Sequence, residues 1–205
     1  MEKLKKILHV KRDSNPEVKC EPNWTSLRHW MISFIVCNFN VDVGPEVELI
    51  YPPDINFSAS DLSAICFNSF PERQDSEFTG DAHFHFVVRN NSPDISLLSP
   101  NAPHGSSSLF FGNSVFRQEF DSVTKRSFTQ KALVIISTHE FPSFFAEILR
   151  IITNSGLIND PTRLEAACSE ITKWPPPTIG RRQLPFLGTL LNLEMYLLRI
   201  VSFRS

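Results

Sequence analysis

Glycine is scarce in this chain, 7 of 205 residues. None of the patterns G-x-x-x-x-G-K-[ST], G-x-G-x-x-G or G-x-S-x-G occurs. The backbone therefore offers neither a phosphate-cradling loop nor a nucleophile elbow, which argues against a GTPase or an α/β-hydrolase. An excess of one charge is also missing. Twenty Lys and Arg against 22 Asp and Glu leave a formal charge of −2, so no basic field points to nucleic acid or to an anionic membrane. The four cysteines, Cys20, Cys37, Cys66 and Cys168, form no C-x-x-C pair. They read as buried thiols of a reducing compartment rather than a disulfide framework or a zinc site.

Long apolar runs are lacking too. Met1 to Asp13 is charged and holds no signal-peptide core. Leu184 to Phe203 is broken by Pro185, Gly188, Asn192, Glu194 and Arg199, too polar for a membrane-spanning helix of ~20 apolar residues. The expectation is a cytoplasmic chain without a transmembrane segment, with peripheral membrane association left open.

What the chain has is core material. Apolar residues make up 41%, and Phe is used 18 times against 2 Tyr and 3 Trp. A buried Phe needs no hydrogen-bond partner, so this bias reads as packing in one domain. Met31 to Phe39 is almost continuously apolar, as in a strand buried on both faces. A turn at Val41 to Pro45 follows, and then Val47, Leu49 and Tyr51 alternate with Glu46 and Glu48, as in a half-buried strand. Ser58 with Asp61 three residues on opens a helix in the manner of a capping box, with Leu62, Ile65 and Cys66 on one face and Phe70-Pro71 closing it. In Ala82 to Arg89, Ala82, Phe84, Phe86 and Val88 face one way and His83, His85 and Arg89 the other.

Asn90 to Ser108 has the Asn, Ser and Pro of an exposed loop. Leu109 to Phe120 and Phe128 to Ser137 are two more strands, the second central because Ala132 to Ile136 is unbrokenly apolar. Phe144, Phe145, Ile148, Leu149 and Ile152 make a helix stripe from Pro142 to Thr153, stopped at Asn154-Ser155-Gly156. Asp160-Pro161 starts another, with Leu164, Ala167, Cys168, Ile171 and Trp174 on one face and Pro175 to Pro177 ending it. The expected fold is α+β, a five-stranded antiparallel sheet with flanking helices in the order β-β-α-β-β-β-α-α. Residues 1–28 read as a mobile tail, 29–178 as the folded lobe and 179–205 as a linker with a divergent end.

Candidate chemistry is thin. His83 and His85 form H-x-H on a strand, a spacing that can hold zinc, but no third ligand lies at a diagnostic distance in sequence, and two half-exposed histidines on a polar strand face explain it as well. Cys66 and Cys168 sit on apolar helix stripes, where packing is the simpler reading. No catalytic residue, cofactor or metal is expected. The densest polar cluster is Phe116, Arg117, Gln118 and Asp121, followed by Lys125, Arg126, Gln130 and Lys131. It reads either as a solvated hairpin with weak cross-strand ion pairs, or as a recognition surface, or as an internal brace in which Arg117 and Asp121 tie down the turn.

That cluster, with Phe111-Gly112 before it and Gln130-Lys131-Ala132-Leu133-Val134 at its end, resembles the F-Y-G, F-R-Q, D, K-R-G-Y, Q-K-S-L-V signature of DENN-domain proteins, above all the sixth DENN subfamily and the fungal Afi-type relatives. Four further stretches resemble the same family in the same order. They are Phe39 to Pro52 with Asp42, Gly44, Glu46 and Ile50-Tyr51-Pro52; Ile65 to Pro71; Gly80-Asp81 before the Phe84 and Phe86 strand; and Ala167 to Ile171 with Trp174-Pro175. Ser127 stands where the family has Gly and Ala132 where it has Ser.

The resemblance implies a longin-like fold, the upstream lobe of a guanine nucleotide exchange factor. In such a factor downstream DENN lobes complete a clasp around a Rab GTPase of endosomal recycling, or an Arf-type GTPase in the fungal relatives. It implies that the eight cluster residues face the GTPase or the neighbouring lobes. Because the chain stops at Ser205, where the central lobe is expected, it reads as a fragment, incomplete for exchange by itself. The alternative is a longin-type trafficking adaptor that binds an Arf- or Rab-type GTPase, or a peptide, without exchange.

Overall fold

The computed structural model describes residues 23–40, 42–71, 80–92, 95, 109–120, 128–156 and 160–195. Their architecture is α+β. Strands β1 (Ser33–Asn40), β2 (Gly44–Tyr51), β3 (Gly80–Arg89), β4 (Leu109–Phe120) and β5 (Phe128–Ser137) form one sheet in the order β2-β1-β5-β4-β3, antiparallel throughout. Helices α1 (Trp24–Arg28), α2 (Ala59–Asn68), α3 (Pro142–Asn154) and α4 (Pro161–Ile171) flank it, and β6 (Gly180–Phe186) and β7 (Thr189–Met195) make a separate hairpin. The five-stranded antiparallel sheet with helices against it is as expected and is consistent with a longin-like fold.

β5 is central because nothing polar interrupts it. Ala132 to Ile136 are each 0% exposed and feed both faces of the sheet. Leu133 and Ile135 join Phe34, Val36 and Val115 beneath α1, α3, α4 and the β6–β7 hairpin. Ala132, Val134 and Ile136 join Ile35, Cys37, Phe110 and Phe116 beneath α2 and the segments holding Ile55, Phe57 and Ile95.

Three local expectations are corrected. First, Val47, Leu49 and Tyr51 do not share a face. The β1–β2 register slips between Val36 and Cys37, so Leu49 lies opposite Val36 and Val47 opposite Cys37. Glu48 is the extra residue of a bulge, which sends Leu49 and Tyr51 to one core and Val47 and Ile50 to the other. Second, Ser58 caps α2 by accepting from the Asp61 amide at 3.1 Å, but the Asp61 carboxylate does not close a capping box. It is fully buried and receives the Asn91 backbone and side-chain N–H groups and the Ser92 hydroxyl, the last at 2.5 Å. Third, part of the stretch read as tail and part of the stretch read as linker are folded: Trp24–Arg28 is a helix, and Gly180–Phe186 and Thr189–Met195 are strands. Asn23 caps α1, and Leu27 inside it is 0% exposed.

The β6–β7 hairpin turns at Leu187 (φ 47°) and Gly188 (φ 78°). Two successive positive φ values match the type I′ geometry that suits the strand twist. Leu184, Phe186, Leu191 and Leu193 face inward and are buried, each such side chain favouring the docked state by roughly 1.5–3 kcal/mol. The Trp174 indole donates to the Pro185 carbonyl at 2.7 Å, and the Leu187 amide to Glu170 at 2.5 Å. Among the described residues no helix is long and apolar enough to cross a membrane.

Candidate functional site

Register decides what the β4–β5 cluster can do. β3 covers β4 only as far as the Gly80–Gln118 pair, and β1 covers β5 only as far as Asn38–Lys131. The β4–β5 ladder runs on through Glu119–Thr129 to Phe120–Phe128. Among the described residues the ladder thus extends past the pairs that β3 and β1 make with it, and at its last pair the rings of Phe120 and Phe128 meet edge to face at 5.8 Å. Phe120 is 67% exposed, one of several large apolar side chains that are exposed among the described residues.

Behind the tip the cluster turns inward. Phe116 is 1% exposed and stacks edge-on with Phe70 at 5.8 Å; Gln118 is 1% exposed and accepts from the Gln130 amide at 2.5 Å. Both side chains are thus buried behind the tip in this structure. Arg117 braces the sheet through Asp81 across the β3–β4 ladder. Nε donates to Oδ1 at 2.6 Å and Nη2 to Oδ2 at 2.7 Å, while Glu119 lies 3.6 Å from the guanidinium. The hydrogen bonds to Asp81 raise the pKa of the guanidinium, against the effect of partial burial. Such a bidentate fork fixes geometry as well as charge. Lys131 binds Glu48, the bulged residue of β2, at 2.9 Å. Asp121, Lys125 and Arg126 lie outside the described residues.

One small residue in the cluster has a steric reason. A Cβ on Gly112 would sit 2.3 Å from the Phe86 ring, so glycine here lets the β3 aromatic lie across β4. His83 and His85 are exposed on β3, and among the described residues no group of three or more His, Cys, Asp or Glu could hold a metal ion. Cys66 and Cys168 are buried free thiols, as the helix stripes imply. Burial in particular pushes the Cys168 thiol well up, away from the reactive thiolate.

The sequence reading missed Phe120 and Phe128. The available signal was an aromatic residue at each end of the β4–β5 connection, but that the two rings meet is visible only once the register is known.

No family model matches the chain. Individual proteins do. Human Protein DENND6B is 32% identical over 183 residues, which is 84% of this chain and 31% of that protein. Protein DENND6A of Gallus gallus is 31% identical over 183 residues, again 84% of this chain and 31% of the relative. The Protein DENND6 homolog of Dictyostelium discoideum is 28% identical over 169 residues, 82% of this chain and 22% of the relative. Most of this chain is similar to DENND6 proteins.

That similarity supports the DENN-domain resemblance. The chain spans about a third or less of the length of these DENND6 relatives. The packing adds a physical reading of the stretches that resemble the DENN family. Asp81 of the Gly-Asp stretch holds Arg117 of the Phe-Arg-Gln stretch, and Phe70 of the Ser-Phe-Pro stretch meets Phe116.

Proposed function

We propose that this chain is the upstream, longin-like lobe of a DENN-type guanine nucleotide exchange factor for a Rab GTPase, in the sixth DENN subfamily. It is incomplete for exchange on its own and acts in the cytoplasm on endosomal recycling membranes. The observation that carries the reading is the similarity to DENND6 proteins, which for the human relative covers 84% of the chain. The Rab, the recycling route and the downstream lobes come from the DENN resemblance. A neighbouring lobe or the GTPase would cover the Phe120–Phe128 tip, with Asp121, Lys125 and Arg126 beside it in sequence and the Arg117–Asp81 and Gln118–Gln130 pairs holding it in place. An exchange factor opens the nucleotide site by binding the nucleotide-free GTPase more tightly than the loaded form, and one lobe supplies only part of that contact area. Placement beside the fungal Afi-type, Arf-linked relatives rests on the resemblance alone.

The test is release of a fluorescent GDP analogue from a panel of endosomal Rabs, with this chain and with a full-length DENND6 relative in parallel. The relative should accelerate release from one or more Rabs and this chain should not. Acceleration by this chain at the relative's rate would overturn the incompleteness. Capture of only the GTP-loaded form would point instead to the adaptor reading.

A further inference from the structure

The two outer strands of the sheet are built differently. β2 is a poor template for another strand. It carries Pro45, the Glu48 bulge and exposed Glu46 and Glu48, the usual devices that discourage a neighbour from adding on. β3 has neither the proline nor the bulge, and its one exposed charge is Arg89 near its end. It runs ten residues, pairs with β4 in unbroken register from Gly80–Gln118 to Arg89–Leu109, and contains neither proline nor lysine. Among the described residues nothing pairs with its outer side.

The two faces of β3 state what a partner strand should look like. On one face Ala82, Phe84 and Phe86 are only half-buried and pack on the second core, so an added strand gains by laying apolar side chains beside them. On the other face His83, His85, Val87 and Arg89 are exposed, Val87 by 51%. The residues opposite on β4 are Val115, Asn113, Phe111 and Leu109, none of them ionisable. The acid at the end of this row, Asp81, is held by Arg117, and on α3, which packs over this side of the sheet, Glu147 and Arg150 pair with each other. The row is thus one of hydrogen-bond donors and a cation with no free acid among them.

We propose that the outer edge of β3 is a docking site for an extended acidic peptide in which acidic and apolar residues alternate. Backbone hydrogen bonds add it as a sixth strand, its carboxylates lie against His83, His85 and Arg89, and its apolar side chains lie along Ala82, Phe84 and Phe86. Strand addition of this kind takes affinity from the main chain and specificity from alternate side chains. The site does not rest on the GTPase reading, and its readout is separate from nucleotide exchange.

The test uses this chain with a fluorescent eight-residue peptide alternating Glu and Val, its counterpart alternating Lys and Val, and the acidic peptide with a central proline. The acidic peptide should bind, the lysine and proline peptides should not, and amide shifts on binding should concentrate in Gly80–Arg89. His83→Glu with His85→Glu, both exposed and so compatible with the fold, should weaken binding by about tenfold or more through like-charge contact. The proposal is overturned if the acidic peptide does not bind, if the lysine peptide binds as well, or if the shifts fall elsewhere. Concentration-dependent dimerisation through β3, read by sedimentation, would overturn it in favour of a second copy of the chain.

Discussion

The two faces of the sheet are closed in different ways. One face is covered by segments from both ends of the described chain: α1, α3, α4 and the β6–β7 hairpin converge on Phe34, Val36, Val115, Leu133 and Ile135. Two indoles lock it. Trp30 donates to the Pro175 carbonyl at 3.1 Å and Trp174 to the Pro185 carbonyl at 2.7 Å, and their rings meet edge to face at 5.5 Å. The other face carries α2, short connecting segments and a buried polar knot at Asp61, and it holds Phe39, Cys66, Phe70 and Phe116 from the DENN-like motifs. The first face closes by aromatic packing, the second by a carboxylate that organises a loop. Packing degrades in proportion to what is removed, whereas a buried polar knot fails when one member goes.

The largest effect should come from the first face. Trp174→Ala removes a buried indole against Trp30, Phe144 and Phe186 together with its hydrogen bond, a loss of about 3–5 kcal/mol. Urea unfolding measures it. If the two faces are separable, hydrogen exchange in the same variant should accelerate across Gly180–Met195 while Gly80–Arg89 keeps its protection. Equal acceleration in both would show that the faces unfold as one unit.

Asp61→Ala tests the second face. It leaves the Asn91 amide and the Ser92 hydroxyl without their buried acceptor, at a cost of about 2–4 kcal/mol. Asp61→Asn keeps the shape but not all the acceptors and should fall between. An Asn variant as stable as the parent would mean that the charge contributes nothing. Gly112→Ala comes next. Its new methyl collides with the Phe86 ring, and because that ring is only half-buried and can swing aside, the expected loss is about 1–2 kcal/mol, read as a lower midpoint of thermal unfolding. It should also disturb the proposed peptide edge, since Phe86 belongs to β3.

How legible these features were depended on how local their cause is. β5 could be read directly, because five consecutive apolar β-formers have few other places to go. The stripes of α3 and α4 were equally plain, and so was their end at Trp174-Pro175. The face assignment of β2 was not, since nothing in Val47 to Tyr51 announces that Glu48 is surplus; the register of β1 creates the bulge. The hairpin was hidden because Gly188 and Pro185 looked like breaks in a failed membrane span, although Leu184 with Phe186 and Leu191 with Leu193 alternate on either side of Leu187-Gly188. In the candidate site the residue types were found but not their partners. Arg117 needed an acid, and the nearer choice in sequence was Asp121. The structure supplies Asp81 across a strand pair, a contact that only pairing order can reveal.

The smallest expected effect separates the two faces by pH. His139 sits where β5 leaves the sheet, beside the first face. Its ring stacks on Phe141 at 5.3 Å, and its Nε2 lies 3.0 Å from the His29 carbonyl, to which the neutral tautomer donates. Burial disfavours the charged imidazolium and lowers the pKa of the ring below its ordinary value, with the His29 carbonyl acting in the opposite sense. The unfolded chain therefore binds a proton more readily than the folded one, and stability rises with pH through that interval. The contribution is complete above the unfolded value of about 6.5 and is lost as pH falls below it. Unfolding midpoints between pH 5 and 8 should decline on the acid side, and His139→Phe should flatten that decline while leaving the effect of Asp61→Ala unchanged at pH 7.5. A slope that survives in His139→Phe would move the acid sensitivity to another group and leave the first face no more sensitive to acid than the second.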